Sequence, residues 1–114
     1  MEQEKDIEAK LRRHVIMAAG MFMKFVSPGN NGVPDRIVLL PWGRTVFVEL
    51  KTSRGKLSKT QKYQIWRMLQ IGQDIAVLFG ADAVEDFLND LKGHVEIKHA
   101  YYGGGETEPL EEIV

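Results

Sequence analysis

The types and spacing of three residues, Asp35, Glu49 and Lys51, suggest that two carboxylates and an amine could act together at one site. Glu49 and Lys51 lie two residues apart in an apolar, β-branched run, and both project from one face because side chains alternate along a strand. Asp35 begins the preceding run, which ends at residue 40. A hairpin turn at 41–44 would bring the start of that run opposite the end of the second. We therefore expect Asp35 and Glu49 to lie close together.

A pair of neighbouring carboxylates predicts a cation site, because two negative charges repel unless a cation lies between them. An all-oxygen site suits Mg²⁺ or Mn²⁺, and the backbone carbonyl of Leu50 could complete the ligands. The chain has no cysteine and only three scattered histidines, which argues against a metal held by thiolate and imidazole ligands, so any metal would be held by oxygen. Each motif alone is weak evidence, since a Glu-x-Lys strand also forms exposed ion pairs and Pro-Asp also forms turns.

Hydrophobic periodicity predicts the elements that must hold these residues. The order α-β-β-β-α-β-α indicates an α/β fold with a mixed β-sheet flanked by helices. Ser58 and Gln61 have the spacing of a capping box at the start of the second long helix. The predicted elements are a helix at 4–19, strands at 21–26, 36–40 and 45–51, a helix at 58–71, a strand at 74–79, a helix at 81–91 and an edge strand at 94–102.

Length and composition limit the organisation. With 114 residues the chain has room for one domain, which we assign to residues 1–102, followed by a flexible acidic tail at 103–114. No apolar run approaches the ~20 residues that cross a bilayer, and the first ten residues are too polar for a signal peptide. We therefore expect a cytoplasmic protein with no membrane partner.

The net charge of −1 hides a strong local asymmetry. Residues 44–67 carry seven basic side chains against one acid, whereas residues 82–114 carry nine acids against two lysines. A polyanion responds to such a local field rather than to the net charge. Composition alone favours the simpler interpretation, a solvated basic helix face.

The combination of motifs resembles a known family. Gly32-Val33-Pro34-Asp35, then Val48-Glu49-Leu50-Lys51, then Ser58 and Gln61, is similar to the stand-alone, phage-type VRR-NUC (virus-type replication-repair nuclease) branch of the PD-(D/E)xK superfamily. The resemblance covers about residues 4–91. It implies a PD-(D/E)xK restriction-endonuclease-like core and a Mg²⁺- or Mn²⁺-dependent endodeoxyribonuclease that needs no small-molecule cofactor.

The resemblance also implies roles for single residues. Asp35 and Glu49 would bind the metal, and Lys51 would orient or deprotonate the attacking water. Gln61 would support the site from the start of the second long helix, although the capping box alone would explain it. Glu8 matches the acid that the family places on its first helix as a further metal ligand.

The helix geometry agrees in part with a role for Glu8. This residue lies along the inward stripe of the first helix, where an unpaired carboxylate is costly. Glu4 lies almost as close to the stripe. A salt bridge from either acid to Arg12 or Lys51 is an equally good explanation.

DNA is the expected partner, and four-way or otherwise branched DNA is the expected substrate in repair, recombination or replication. We expect an active homodimer, since two subunits present paired sites with fixed spacing. The alternatives are a nuclease acting on flaps, nicks or ends, and a catalytically silent DNA-binding module on the nuclease scaffold. The expected DNA contacts are Ser27, Arg36, Arg54, Lys56, Lys59 and Lys62.

Overall fold

The computed structural model describes residues 2–92 and 100–103. Over these residues, helices pack against both faces of a five-stranded sheet. None of the helices in these ranges has the length and apolar character to cross a membrane. The elements are α1 (Glu4–Met17), β1 (Met21–Lys24), β2 (Arg36–Leu40), β3 (Arg44–Lys51), α2 (Lys59–Gln70), β4 (Ile75–Phe79), α3 (Ala81–Lys92) and β5 (Ala100–Gly103).

The sheet is mixed, with the strand order β1-β2-β3-β4-β5. β1, β2 and β3 pair antiparallel, whereas β3, β4 and β5 pair parallel, with α2 connecting β3 to β4. The α/β class and the mixed sheet predicted from the sequence are confirmed. The predicted edge strand is present at 100–103, but residues 94–99 and the tail from 104 to 114 lie outside the described residues.

A short turn fixes how β2 meets β3. Leu40 pairs with Arg44, so the turn comprises residues 41–43 and is one residue shorter than predicted. Gly43 adopts φ +78° there, and its N–H donates to the Leu40 carbonyl over 3.1 Å. A left-handed φ favours glycine because it has no Cβ to clash with the backbone.

The two faces of β3 pack against different helices. Val46, Val48 and Leu50 are fully buried in the cluster that includes the apolar stripe of α1 and the inner face of α3. Phe47 points to the opposite face, where it packs with Ile65 of α2 and with side chains of β4. The predicted inward stripe of α1 is confirmed, because Ile7, Leu11 and Val15 are its buried residues.

The sheet face on the α2 side is covered unevenly. The cluster beneath α2 is formed with residues of β3 and β4. On β1, Phe22 packs toward the α1 layer, so Met21 and Met23, which alternate with it, lie on the α2 side. Met21 is 59% exposed and Met23 is 44% exposed, and we call this part of the surface the open β1 face.

Candidate active site

Glu49 is an acid inside the sheet. It is only 4% exposed, on the α2 side of β3. Asp35 lies one residue before β2, and continuing the Arg36–Val48 pairing by one step puts it opposite Glu49. Burial first, and the Asp35 charge second, raise the pKa of Glu49 to about 7 against the opposing charges of Lys51 and Arg36.

The donor set around these acids fits a hard divalent cation. Within the described residues, no group of three or more Asp, Glu, His or Cys side chains could hold a metal. The chain therefore offers the Asp35–Glu49 pair, and Mg²⁺ is commonly held by one or two carboxylates with waters completing its shell. A cation would relieve the electrostatic cost of holding the buried Glu49 next to the exposed Asp35.

The Leu50 carbonyl is a further oxygen for such a cation. The Phe47 N–H donates to the Asp74 carbonyl over 3.0 Å, so the backbone groups of Phe47 point toward β4. Because these directions alternate along a strand, those of Leu50 point toward β2. Its partner by register would be Pro34, which has no N–H to donate. The Leu50 carbonyl consequently receives no ladder hydrogen bond from that side.

Lys51, two residues after Glu49 on β3, lines an open cleft of about 640 Å³, and neither Asp35 nor Glu49 is among the residues that line it. Gly55 packs directly against the lysine, since a Cβ at Gly55 would lie 3.0 Å from the Lys51 Cβ. A side chain at this position would require the loop or the Lys51 side chain to shift by a few tenths of an ångström. The cleft is also lined by Asn31, Gly32, Lys56, Leu57, Ser58, Thr60 and Gln61.

Gln61 forms the predicted capping box at the start of α2. Its backbone N–H donates to Ser58 Oγ over 3.0 Å, and the Ser58 N–H donates to Gln61 Oε1 over 2.9 Å. The capping box is confirmed. Because Gln61 lines the same cleft as Lys51, a supporting role at the site is compatible with capping and stays a prediction.

The loop before Asp35 is fastened to the first turns of α2. Gly32 has φ +89°, and a Cβ there would lie 2.7–2.9 Å from Thr60 atoms, so only glycine allows this approach. Gln64 Nε2 donates to the Asn31 carbonyl over 3.1 Å. Ser27, expected to contact DNA, accepts a hydrogen bond from Asn30 within its own turn at 2.9 Å.

Arg36 is a buried arginine held by three carboxylates. It is 8% exposed, and its guanidinium pairs with Glu8 at 3.0 Å, with Glu4 at 3.2 Å and with Asp35. Burial opposes its charge, but the Asp35 and Glu8 carboxylates outweigh that effect and raise the pKa of Arg36. These pairs link Arg36 to α1, and a phosphate would have to compete with them. The expected contact of Arg36 with DNA stays a prediction.

Glu4 and Glu8 of α1 have partners different from those expected from the sequence. Glu8 is largely covered and bonds Arg36, which is neither of the two partners expected for it. Arg12 instead lies over the Phe22 ring at 5.0 Å. The Glu4 charge is among those that raise the pKa of Glu49. A metal-binding role for either acid stays a prediction.

Of the basic residues after Lys51, Lys56 lines the cleft, and Arg54 and Lys59 lie close to it in the sequence. Arg54 and Lys56 are exposed on the loop after β3, and Lys59 is exposed at the start of α2. None of these three forms a salt bridge with any residue that the structure describes. Lys62 is half-buried and has interactions of its own. The exposed cations therefore remain available to an anion arriving at the cleft.

A mixed sheet flanked by helices, with these acids and a lysine at the end of its strands, defines a nuclease-type α/β fold. A solved structure described as "VRR_NUC domain" has this fold, with a TM-score of 0.69 and 23% identity over 82% of this chain and 97% of that one. "Putative nuclease p44" of Acyrthosiphon pisum secondary endosymbiont phage 1 is 40% identical over 80 residues, which are 70% of this chain and 86% of that protein. The chain belongs to the phage-type VRR-NUC family. No protein-family model matches the sequence.

Proposed function

We propose that this chain is a Mg²⁺- or Mn²⁺-dependent endodeoxyribonuclease that hydrolyses phosphodiester bonds beside Asp35, Glu49 and Lys51. The observation that carries the proposal is the buried Glu49, whose pKa is raised to about 7 by burial and by Asp35. Strongly shifted acids concentrate at functional sites because folding alone does not favour them. The phage relative described as a nuclease supports the same class.

The chain's own residues have distinct roles in the proposed reaction. Asp35, Glu49 and the Leu50 carbonyl would hold the cation, which supplies Lewis-acid polarisation and a more acidic water. As an ammonium group, Lys51 would orient the attacking water and add positive charge where negative charge develops on the phosphate. To deprotonate the water instead, Lys51 would have to start as the neutral amine, which becomes cationic when it takes the proton. Arg36 donates to Asp35 and thereby orients its carboxylate.

A nicking assay tests the proposal and its alternatives. Supercoiled plasmid, linear duplex, flaps, nicked duplex and four-way junctions are each incubated with Mg²⁺, Mn²⁺ or excess EDTA. Metal-dependent breaks in closed circular DNA support an endonuclease. Binding without any cleavage would favour the silent DNA-binding module, and a preference for flaps, nicks or ends would favour the other nuclease alternative.

Neutralising Arg54, Lys56 and Lys59 together should weaken binding to DNA of every sequence, because phosphate contacts carry affinity without reading bases. The slope of log K against log salt should flatten by roughly 0.9 for each duplex phosphate that the variant no longer neutralises. Fluorescence anisotropy titrations at a series of salt concentrations measure this slope. The charge-matched control neutralises three exposed residues of α1, Lys5, Arg12 and Arg13. Equal slopes for the two triple variants would leave the basic cluster as a solvated surface.

We further propose a homodimer that acts on branched DNA in the cytoplasm of the host cell, during repair, recombination or replication. Two copies would present paired sites with the symmetry of a four-way junction. The open β1 face, with Met21 and Met23 exposed, is an apolar surface available for pairing. Sedimentation equilibrium at micromolar concentration should give twice the chain mass, and Met21→Glu with Met23→Glu should return the monomer. A wild-type monomer would contradict paired cutting.

A further inference from the structure

The carboxylate of Glu2 is held by the backbone of two other segments. Its Oε1 accepts from the Ser53 N–H over 2.7 Å, and its Oε2 accepts from the Ala81 N–H over 3.2 Å. Ser53 follows β3 and Ala81 begins α3, so the two donors come from the segments that follow neighbouring parallel strands. Each oxygen of one anionic group thus meets its own backbone donor.

The surroundings of this carboxylate suit an anion. Gly80 has φ +92°, and a Cβ there would lie 3.3–3.4 Å from the Glu2 oxygens, so the missing side chain leaves room for the anion. The Ser53 and Ala81 N–H groups hold the pKa of Glu2 below its usual range. We call the pocket formed by Ser53, Gly80 and Ala81 the backbone cradle. It is more than a helix N-terminus, because a second segment donates to it and an anionic side chain is bound in it.

The backbone cradle lies beside the candidate active site. The Gly80 N–H donates to the Lys51 carbonyl over 2.9 Å, which joins the cradle directly to the strand of Glu49 and Lys51. Ser53 is exposed, so the cradle is open to solvent, and Arg54 follows it immediately. In sheets of this kind, ligands bind beyond the carboxyl ends of parallel strands. An anion in the cradle would therefore sit next to a substrate in the cleft.

We propose that the backbone cradle binds a phosphodiester of the DNA strand next to the bond that is cut, and that Glu2 occupies it until DNA arrives. A carboxylate and a phosphodiester each carry one negative charge and present two terminal oxygens on one atom. Both can accept from the same two N–H donors, and such donors bind phosphate without reading bases. The inference rests on the proposed nuclease function and extends it to a second phosphate contact.

Removing Glu2 should therefore tighten DNA binding. Glu2→Ala is introduced into an Asp35→Asn chain so that binding is measured without cleavage. The dissociation constant for duplex DNA should fall roughly five- to tenfold, about 1 kcal/mol or slightly more. Asp6→Asn is the control, since it removes one exposed acidic charge nearby, in the first turn of α1. Its dissociation constant should change less than about twofold.

Titration of inorganic phosphate into Glu2→Ala, followed through amide chemical shifts, tests the cradle directly. The Ser53 and Ala81 amides should shift saturably in the variant and much less in the wild type, where Glu2 occupies the donors. The proposal would be overturned if the Ser53 and Ala81 amide signals did not shift with phosphate, or if Glu2→Ala and Asp6→Asn bound duplex DNA with equal affinity. If no chain binds or cuts DNA while these amides still respond to phosphate, the nuclease proposal fails and an anion cradle remains. If cleavage is intact and the amides stay still, only the cradle fails.

Discussion

Asp35→Asn should reduce DNA cleavage by at least a factor of about 1000, roughly 4 kcal/mol of transition-state stabilisation, while DNA binding is retained. The substitution removes one charge from the pair that would hold the cation but keeps nearly the same volume. Asparagine Oδ1 can still accept from Arg36, so the link between α1 and the site is preserved. Initial nicking rates in Mg²⁺ and Mn²⁺ measure the loss, and fluorescence anisotropy measures binding.

The matched control for this experiment is Asp74→Asn. Like Asp35, Asp74 lies one residue before a strand and faces an arginine, Arg44, at 3.8 Å. It precedes β4 and does not line the cleft. Its variant should cut DNA at close to the wild-type rate. Lys51→Ala should lose cleavage as Asp35→Asn does. Near-normal cleavage by either site variant, or wild-type cleavage in excess EDTA, would contradict the proposed site.

Glu49→Gln should stabilise the metal-free protein at pH 8 by about 3 kcal/mol, because burial and Asp35 raise the pKa of Glu49 from 4.5 to about 7. Below pH 4.5 the carboxyl is protonated in both states and contributes no penalty. As the pH rises toward 7, the unfolded chain releases this proton while the folded chain keeps it. Stability due to this group is therefore lost between pH 4.5 and 7, and the penalty is complete above pH 7.

Urea denaturation in EDTA at pH 4.5 and pH 8 measures the effect. The stability difference between Glu49→Gln and wild type should increase by about 3 kcal/mol from the lower to the higher pH. Comparing the two differences removes any packing effect of the substitution itself. Mn²⁺ should raise the wild-type unfolding temperature at pH 8 and affect the variant much less. An equal stability difference at both pH values would show that Glu49 carries no such penalty.

Much of the fold could be predicted because its signals are local. The apolar spacing of α1 and the capping box at Ser58 each depend on residues within a few turns. Alternation along β3 placed Glu49 on the face shared with Phe47, and a short turn was enough to bring Asp35 opposite it. The spacing of these motifs was therefore enough to predict that Asp35 and Glu49 lie opposite each other on neighbouring strands.

The ion pairs around Arg36 could not be predicted in the same way. Its partners Glu4 and Glu8 belong to α1, and only the packing of that helix on the β2–β3 side decides that they meet Arg36. When only the sequence is known, an arginine next to an expected catalytic aspartate is naturally interpreted as a residue that binds phosphate. The hydrogen bonds of Glu2 with Ser53 and Ala81 join residues that are 51 and 79 positions apart in the chain. No local sequence pattern predicts contacts of this kind.

Leu40, the residue just before the turn at 41–43, lies five residues after Asp35 and therefore roughly 17 Å from it. The length of the turn nevertheless sets which residue of β3 faces Asp35. One inserted or deleted residue in this turn would slide β2 along β3, and a one-residue slip exchanges the two faces of a strand. Asp35 would then lose Glu49 although every residue of the site was unchanged. Members of this family should accordingly keep the number of residues between these two strands constant.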